Sequence, residues 1–259
     1  MKRSRWLTSV CIAALAWLTI PGLGPDIARI EAGWGVKITP GDWRGPLSYP
    51  PVVTLPDTAV VRALASLTVR GHEKVPRYQR SAFGQTWADV DRNGCDTRND
   101  ILARDLRNTT FRPGTHRCVV TSGQLLDPYT GKTINFVKGQ KTSEAVQIDH
   151  VVALANAWQS GAWRWDAHRR EEFANEPRNL LAVDGPANQE KSADDAAHWL
   201  PANSDFQCMY VTTQIQVKSA WGLSVTSEEK DAMARVLANC PLPSGRTEIS
   251  PPHADTGGS

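Results

Sequence analysis

The chain has 259 residues, of which 41% are hydrophobic and 22% are charged. This composition excludes extended disorder through the middle of the chain and favours one principal domain with tails. Lysine and arginine number 29, and aspartate and glutamate number 27; without residues 1–32 the counts are 25 and 25. Net charge therefore does not mark a polyanion-binding protein, and any attraction to phosphate must be local.

The N-terminus has the composition of a secretory signal. A basic start, Met1-Lys2-Arg3-Ser4-Arg5, precedes an apolar run from Trp6 to Ile20 that stops at Pro21-Gly22. This pattern predicts export, with a retained membrane anchor as the alternative because the run is short for a span and no clear cleavage site follows it. The chain then divides into a signal or anchor (1–32), an extended Pro- and Gly-rich linker or arm (33–57), a folded domain (58–240) and a disordered tail (241–259).

Four cysteines lie beyond the apolar run, which itself contains Cys11. An even number in an exported chain indicates disulfides, with three possible connectivities. We expect the two local pairs, Cys95 with Cys118 and Cys208 with Cys240, each contributing on the order of 3 kcal/mol by restricting the unfolded chain. A zinc site of four thiolates is disfavoured because no C-x-x-C pair is present.

Two helices and a hairpin are predicted in the first half of the domain. Apolar periodicity gives the helices, and a turn sequence between two short extended segments gives the hairpin. The predicted elements are a helix over 57–69 capped by Asp57, a helix over 98–106 capped by Asp96 or Thr97, and strands over 118–123 and 133–137 joined by the turn 127–131.

The second half of the domain is predicted to contain two strands among several helices. Trp163, Trp165 and Phe173 have a spacing more typical of core packing than of base stacking. The predicted elements are an apolar approach over 146–148, a helical segment over 151–159, a buried strand over 179–183, a helix from Ala187 toward Trp199 that Pro201 stops, and helices over 206–220 and 227–237.

Residues 147–191 contain the most informative pattern in the chain. Asp149 and His150 end an apolar run, Asn179 precedes an apolar strand, and Asn188 opens a helix after a tight turn. Together they supply a hard metal ligand, a proton acceptor and two neutral amides. These are the parts of a one-metal site that cleaves phosphodiesters.

This order and spacing resemble the HNH, or ββα-metal (His-Me finger), endonuclease superfamily. The flanking sequences Asn93-Gly94-Cys95-Asp96-Thr97-Arg98-Asn99-Asp100 and His198-Trp199-Leu200-Pro201 are similar to a secreted group related to the nuclease part of GmrSD-type restriction enzymes. The resemblance spans about residues 60 to 240. It implies an α+β fold in which a ββα-metal finger is embedded in a mostly helical nuclease domain.

The resemblance also implies roles for individual residues. His150 matches the general base, which must be neutral to deprotonate the attacking water. Asp149 and Asn188 match the metal ligands, and Asn179 matches a structural residue whose amide fixes how the histidine is presented. Lys191 lies one helical turn beyond Asn188 and is expected to bind a phosphate oxygen.

The chain has Asp and Asn where the family pattern has His at its first and last positions. Oxygen ligands favour Mg²⁺, with Mn²⁺ as a substitute, over zinc. Arg98 is a second expected phosphate ligand; Asp96 either orients it or only caps a helix. Glu144 either approaches the site or faces water, and His198 is expected to serve packing or capping.

The predicted function is a secreted, metal-dependent endonuclease that leaves a 5′-phosphate and a 3′-hydroxyl. Its expected substrate is DNA, with RNA as the alternative, at low sequence specificity because no recognition helix or zinc finger is visible. Residues 98–141 carry eight basic and three acidic side chains, which form either a phosphate-binding surface or a solvated face. No stable protein partner is expected, so the predicted state is a monomer. Alternatives are an extracellular phosphodiesterase acting on another substrate and an inert extracellular binding module.

Overall fold

The computed structural model describes residue 55 and residues 58–71 and 73–241, and the structural statements below concern these residues. The predictions for residues 1–32, for nearly all of the linker and for residues 242–259 lie outside them. Asp57 lies outside them as well, and the cap predicted there is corrected: the helix that begins at Ala59 is capped by Thr58, whose hydroxyl accepts from the Val61 N–H at 3.3 Å. Within the described part, no helix has the length and apolar character needed to cross a membrane.

The described chain is an α+β structure with seven helices and two small antiparallel sheets. The helices are α1 (Ala59–Ser66), α2 (Thr97–Asp105), α3 (Leu154–Gln159), α4 (Ala167–Ala174), α5 (Gly185–Lys191), α6 (Ser204–Trp221) and α7 (Ser227–Ala238). The strands are β1 (Arg107–Phe111), β2 (Val120–Leu126), β3 (Thr133–Val137), β4 (Val146–His150) and β5 (Leu180–Asp184).

The first sheet has the order β1-β2-β3 and contains the predicted hairpin. Its first strand, β1, was not predicted, because its sequence Arg-Asn-Thr-Thr-Phe has no alternation of apolar and polar residues and none of its side chains is fully buried. Helix α4 was also missed; its residues AHRREEFA bury only Phe173 and Ala174. Packing against neighbouring elements stabilises β1 and α4 more than the intrinsic propensities of their residues do.

Local backbone chemistry corrects one predicted helix boundary and accounts for another that is confirmed. Helix α5 ends at Lys191 and does not continue toward Trp199, because Ser192 adopts a positive φ of 49°. Helix α7 begins at Ser227, as predicted. Its cap is a capping box between Thr226 and Glu229, in which each side chain bonds the other residue's backbone N–H.

The second sheet pairs β4 with β5 in antiparallel register, so that His150 lies opposite Leu180 and Val146 lies opposite Asp184. Helix α5 follows β5 directly because the Asp184 carboxylate caps it, accepting from the Ala187 N–H at 2.9 Å. Gly185 occupies the corner, where a Cβ atom would overlap the carbonyl oxygen of Glu144. The corner therefore requires a residue without a side chain.

Three hydrophobic clusters surround this strand pair. One cluster joins α1, α6 and α7, one is built from aromatic residues near α3 and α4, and one lies between α2, the β2–β3 hairpin and the strand pair. Alternate strand residues enter different clusters: Leu180 and Ala182 pack in the third, while Leu181 and Val183 pack in the first. Burial on both faces fixes the strand pair that carries Asp149 and His150.

The aromatic residues of 160–178 pack in the core, as their spacing indicated. Trp165 and Phe173 meet edge-on at 5.4 Å between ring centroids, and both contact Trp221 of α6. Two disulfides, Cys95–Cys118 and Cys208–Cys240, join the pairs expected from the sequence. The first ties the segment before α2 to the segment before β2, and the second ties α6 to the residue two positions beyond α7.

Candidate functional site

An open cleft of about 520 Å³ lies where β4 ends and α5 begins. Four of the predicted site residues meet there, from three different elements. The lining includes Arg98, Asp149, His150 and Asn188, together with Trp87 and Gln147, which were not predicted. Two other predicted residues, Asn179 and Lys191, are fully buried and do not line the cleft.

The imidazole of His150 is held in one orientation by a backbone carbonyl. Its Nε2 lies 2.8 Å from the carbonyl oxygen of Ala174, at the end of α4. A carbonyl only accepts, so Nε2 carries the proton and Nδ1 of the neutral ring is the acceptor. The indole of Trp87 stacks on the imidazole with 6.1 Å between centroids and 15° between planes.

Burial also sets the charge of this histidine. It is the largest influence on the His150 pKa, which it lowers from 6.5 to about 4; the bond to the Ala174 carbonyl opposes it. The imidazole is therefore neutral at physiological pH and can accept a proton through Nδ1.

Asn179 braces the two residues that follow the histidine. Its side-chain amide donates to the carbonyl of Val152 at 3.1 Å and accepts from the Val152 N–H at 2.8 Å. Its own carbonyl accepts from the N–H of Val151 at 2.8 Å. This is the kind of contact that the family resemblance assigns to this asparagine, and it holds the loop after β4 against the start of β5.

The carboxylate of Asp149 is buried and fixed by two donors. Oδ1 accepts from the Lys191 ammonium at 3.0 Å and Oδ2 accepts from the Tyr129 hydroxyl at 2.5 Å. Burial raises the pKa of Asp149, while Lys191 and Tyr129 act in the opposite direction. Each oxygen has two lone pairs, so these bonds orient the carboxylate without using all of its acceptor capacity.

The geometry of Lys191 differs from the expected phosphate contact. The side chain has 0% exposure, and its ammonium donates to Asp149 and to the carbonyl of His150, the latter at 2.9 Å. The expectation is corrected because an ammonium without exposed surface is not presented to a phosphate in the cleft. Instead, Lys191 neutralises the buried Asp149.

Asn188 stands half-buried on the first turns of α5 and faces β4. Its amide nitrogen donates to Oε1 of Gln147 at 2.8 Å. This bond orients the side chain and leaves its carbonyl oxygen as the group suited to a cation. In the sequence, Gln147 belongs to the apolar approach to Asp149. That pattern does not predict its role as an orienting partner of Asn188.

The donor set fits a hard cation better than zinc. In the described chain, no group of three or more His, Cys, Asp or Glu side chains converges as a metal site would require. Asp149 and Asn188 instead are two oxygen donors that line the same cleft, and Mg²⁺ typically takes one or two protein ligands and keeps several waters.

Arg98 enters the cleft from the first turn of α2. Its guanidinium donates to the carbonyl of Val146 at 3.2 Å, and burial lowers its pKa while Asp96 opposes that shift. Asp96 itself caps α2, accepting from the Asn99 backbone and side-chain amides at 2.8 Å each. The capping interpretation of Asp96 is therefore the one its contacts favour.

Two other residues named from the sequence lie at the surface. Glu144 is exposed in a short 3-10 turn before β4. His198 is exposed and lies 2.8 Å from a carboxylate oxygen of Asp195, which raises its pKa. Neither lines the cleft.

Comparisons with known proteins identify the family of this chain. The model of the family described as GmrSD restriction endonucleases, C-terminal domain, matches residues 96–236, which is more than half of the chain. The chain is also 36% identical over 198 residues to an "Uncharacterized secreted protein" of Arthroderma benhamiae, covering 75% of this chain and 91% of that protein. No solved structure matches. The chain belongs to the family of GmrSD restriction endonuclease C-terminal domains.

Proposed function

We propose that this protein is a secreted, metal-dependent endonuclease. Family membership points to a nuclease in general. Within that class we assign β4, β5 and α5 to a ββα-metal finger of the HNH type. His150 is its general base, and Asp149 and Asn188 are the ligands of a single divalent cation, Mg²⁺ or Mn²⁺.

One observation carries the proposal: a neutral, oriented imidazole shares a cleft with two oxygen donors. The Ala174 carbonyl keeps the proton on Nε2 of His150, so Nδ1 is the nitrogen that accepts. Asp149 and Asn188 line the same cleft, each held in place by a hydrogen bond. A base, a cation site and an open cleft are the requirements of one-metal phosphodiester hydrolysis.

In the proposed reaction, Nδ1 of His150 takes a proton from the attacking water. The Ala174 carbonyl then stabilises the imidazolium through its bond to Nε2–H. Arg98, at the cleft edge, contacts a non-bridging phosphate oxygen. When bound, the cation would supply positive charge to the phosphate and to the leaving 3′ oxygen. The products are a 5′-phosphate and a 3′-hydroxyl.

The proposed setting is extracellular, and the proposed substrate is DNA cut with low sequence specificity. Three features support secretion: the basic and apolar N-terminus, the two disulfides, and a relative described as secreted. Low specificity is proposed because the sequence shows no pattern of a recognition helix or a zinc finger that would read base edges. We propose a monomer over residues 58–240 as the active unit.

A plasmid-nicking assay tests the function. Wild-type protein should nick supercoiled plasmid with Mg²⁺ and stop when EDTA is added. His150→Ala should slow nicking by about 100-fold or more, the usual cost of losing a general base. His168→Ala is the matched control, because that imidazole is 81% exposed and lies outside the cleft, and it should cut like wild type. Equal rates for His150→Ala and wild type would contradict the proposal.

A further inference from the structure

A second cleft of about 390 Å³ adjoins the one that holds His150. The two clefts share two lining residues, Trp87 and Arg98, which therefore form the boundary between them. The second cleft is also lined by Lys138, which directly follows β3 and does not line the first cleft.

The shared boundary is built into the candidate active site. Arg98 is anchored on β4 through the Val146 carbonyl, and Trp87 lies against the His150 ring. Trp87 also has a φ of 60°, a conformation that a bulky side chain rarely adopts. Strain of this kind persists where the surroundings fix the residue, and it is common next to functional sites.

Two cations line the second cleft. Arg98 is shared with the first cleft, whereas the exposed Lys138 lines the second cleft alone. The backbone at Lys138 is fixed, because its N–H donates to the Thr121 carbonyl at 2.8 Å. The lining also contains one carboxylate, Asp96, which accepts from the backbone and side-chain amides of Asn99 and keeps its negative charge. A ligand here meets two cations, one carboxylate and an aromatic ring, so the charge of the lining is positive on balance.

We propose that the second cleft binds the flanking nucleotide of the cleaved strand, with its phosphate at Lys138. The inference rests on the proposed nuclease function. A strand whose scissile phosphate lies at His150 must continue beyond it, and the boundary at Trp87 and Arg98 opens into a space of the size that one small ligand fills. A cationic groove beside an aromatic side chain is the usual way to bind an unpaired strand. The substrate class is therefore single-stranded or locally unpaired nucleic acid.

The test measures binding of a labelled single-stranded 12-mer by fluorescence anisotropy, in a His150→Ala background that prevents cleavage. Lys138→Glu should weaken binding by about 10-fold at low salt, and the slope of log affinity against log salt should fall by roughly 0.7, the value of one lost phosphate contact. Lys132→Glu is the matched control, since it makes the same charge change at an exposed position at the other end of β3. It should bind within about 2-fold of the His150→Ala parent.

Cleavage provides a second readout in the protein that retains His150. Lys138→Glu should lower kcat/KM for the 12-mer through a higher KM, with kcat unchanged, because the flanking contact lies away from the reacting atoms. If Lys138→Glu and Lys132→Glu behave alike in a protein that cuts the 12-mer, the second cleft is not a nucleotide site and the nuclease proposal stands. If wild type neither binds nor cuts nucleic acid, both proposals fail.

Discussion

At the scale of single residues, the site depends on one imidazole kept neutral inside the protein. His150 is buried, and its environment lowers its pKa to about 4. Most histidine bases work close to their ordinary pKa and lose activity in mild acid. In the proposed role of general base, His150 should stay competent well below pH 6.

The pH dependence of stability follows from the same shift. The pKa of His150 is below its unfolded value of 6.5, so the unfolded chain binds the proton more readily. Stability from this residue is complete above pH 6.5 and is lost as the pH falls toward 4, by on the order of 3 kcal/mol. Urea unfolding at pH 7, 5.5 and 4 should therefore show a steeper loss for wild type than for His150→Gln. Parallel losses in the two proteins would contradict the assigned pKa.

From the sequence alone, the identities of the cleft residues could be predicted, but most of their contacts could not. Asp149, His150 and Asn188 do line one cleft. The partner of His150 is a backbone oxygen 24 positions away, which no side-chain pattern reveals. Lys191 was placed on the correct helix, but its direction depends on the burial of Asp149, which only the packed structure supplies.

At the scale of elements, the β2–β3 hairpin reaches across to the strand pair. The loop between its strands contributes Asp127, whose carboxylate accepts from the Asp184 N–H at 2.9 Å. It also contributes Tyr129, which is buried and bonds Asp149. The sequence Asp-Pro-Tyr-Thr-Gly signals a turn through its Asp, Pro and Gly residues, but it contains nothing that tells where the tyrosine points.

Tyr129→Phe should test the connection, because it removes only the hydroxyl that orients Asp149. If Asp149 binds the cation, affinity for Mn²⁺ measured by titration without substrate should fall by about 10-fold, as for other partners of metal ligands. Tyr210→Phe is a close control: that residue is equally buried, and its hydroxyl accepts from Gln214 instead. Unchanged affinity in Tyr129→Phe, or an equal loss in both variants, would remove the orienting role.

At the scale of the whole molecule, two disulfides stabilise different regions. In Cys95–Cys118, Cys95 lies three residues before Arg98, which lines the cleft. Cys208–Cys240 ties α6 to the residue two positions beyond α7, beside the first hydrophobic cluster. The bonded cysteines are separated by 23 positions in Cys95–Cys118 and by 32 positions in Cys208–Cys240. Loops of this length predict stabilisation of about 3 kcal/mol for each bond.

Removing the bonds separately should distinguish stability from function. Replacing either cysteine pair by alanine should lower the free energy of unfolding by about 3 kcal/mol in urea titrations. Only loss of Cys95–Cys118 should also raise KM in the nicking assay at 25 °C, because it loosens the segment that leads into Arg98. A KM increase of similar size on loss of Cys208–Cys240 would show that activity follows global stability instead.

The α+β class could be predicted because strong helical periods and a turn-bounded hairpin were visible in the chain. The positions of β1 and α4 could not, since β1 lacks alternation and α4 buries little. The end of α5 could not be predicted from composition either. The predicted helix runs on toward Trp199, whereas a single backbone torsion at Ser192 ends the real one.

The glycine at the turn from β5 into α5 has a consequence for evolution at this site. Every other amino acid brings a methyl or larger group against the Glu144 carbonyl, so substitution must displace either the helix or the short turn that carries Glu144. That helix carries both Asn188 and Lys191, and their alignment with Asp149 would shift as a unit. We therefore expect glycine at position 185 in relatives that keep Asp149 and Asn188, although it contributes no side-chain atom to the cleft.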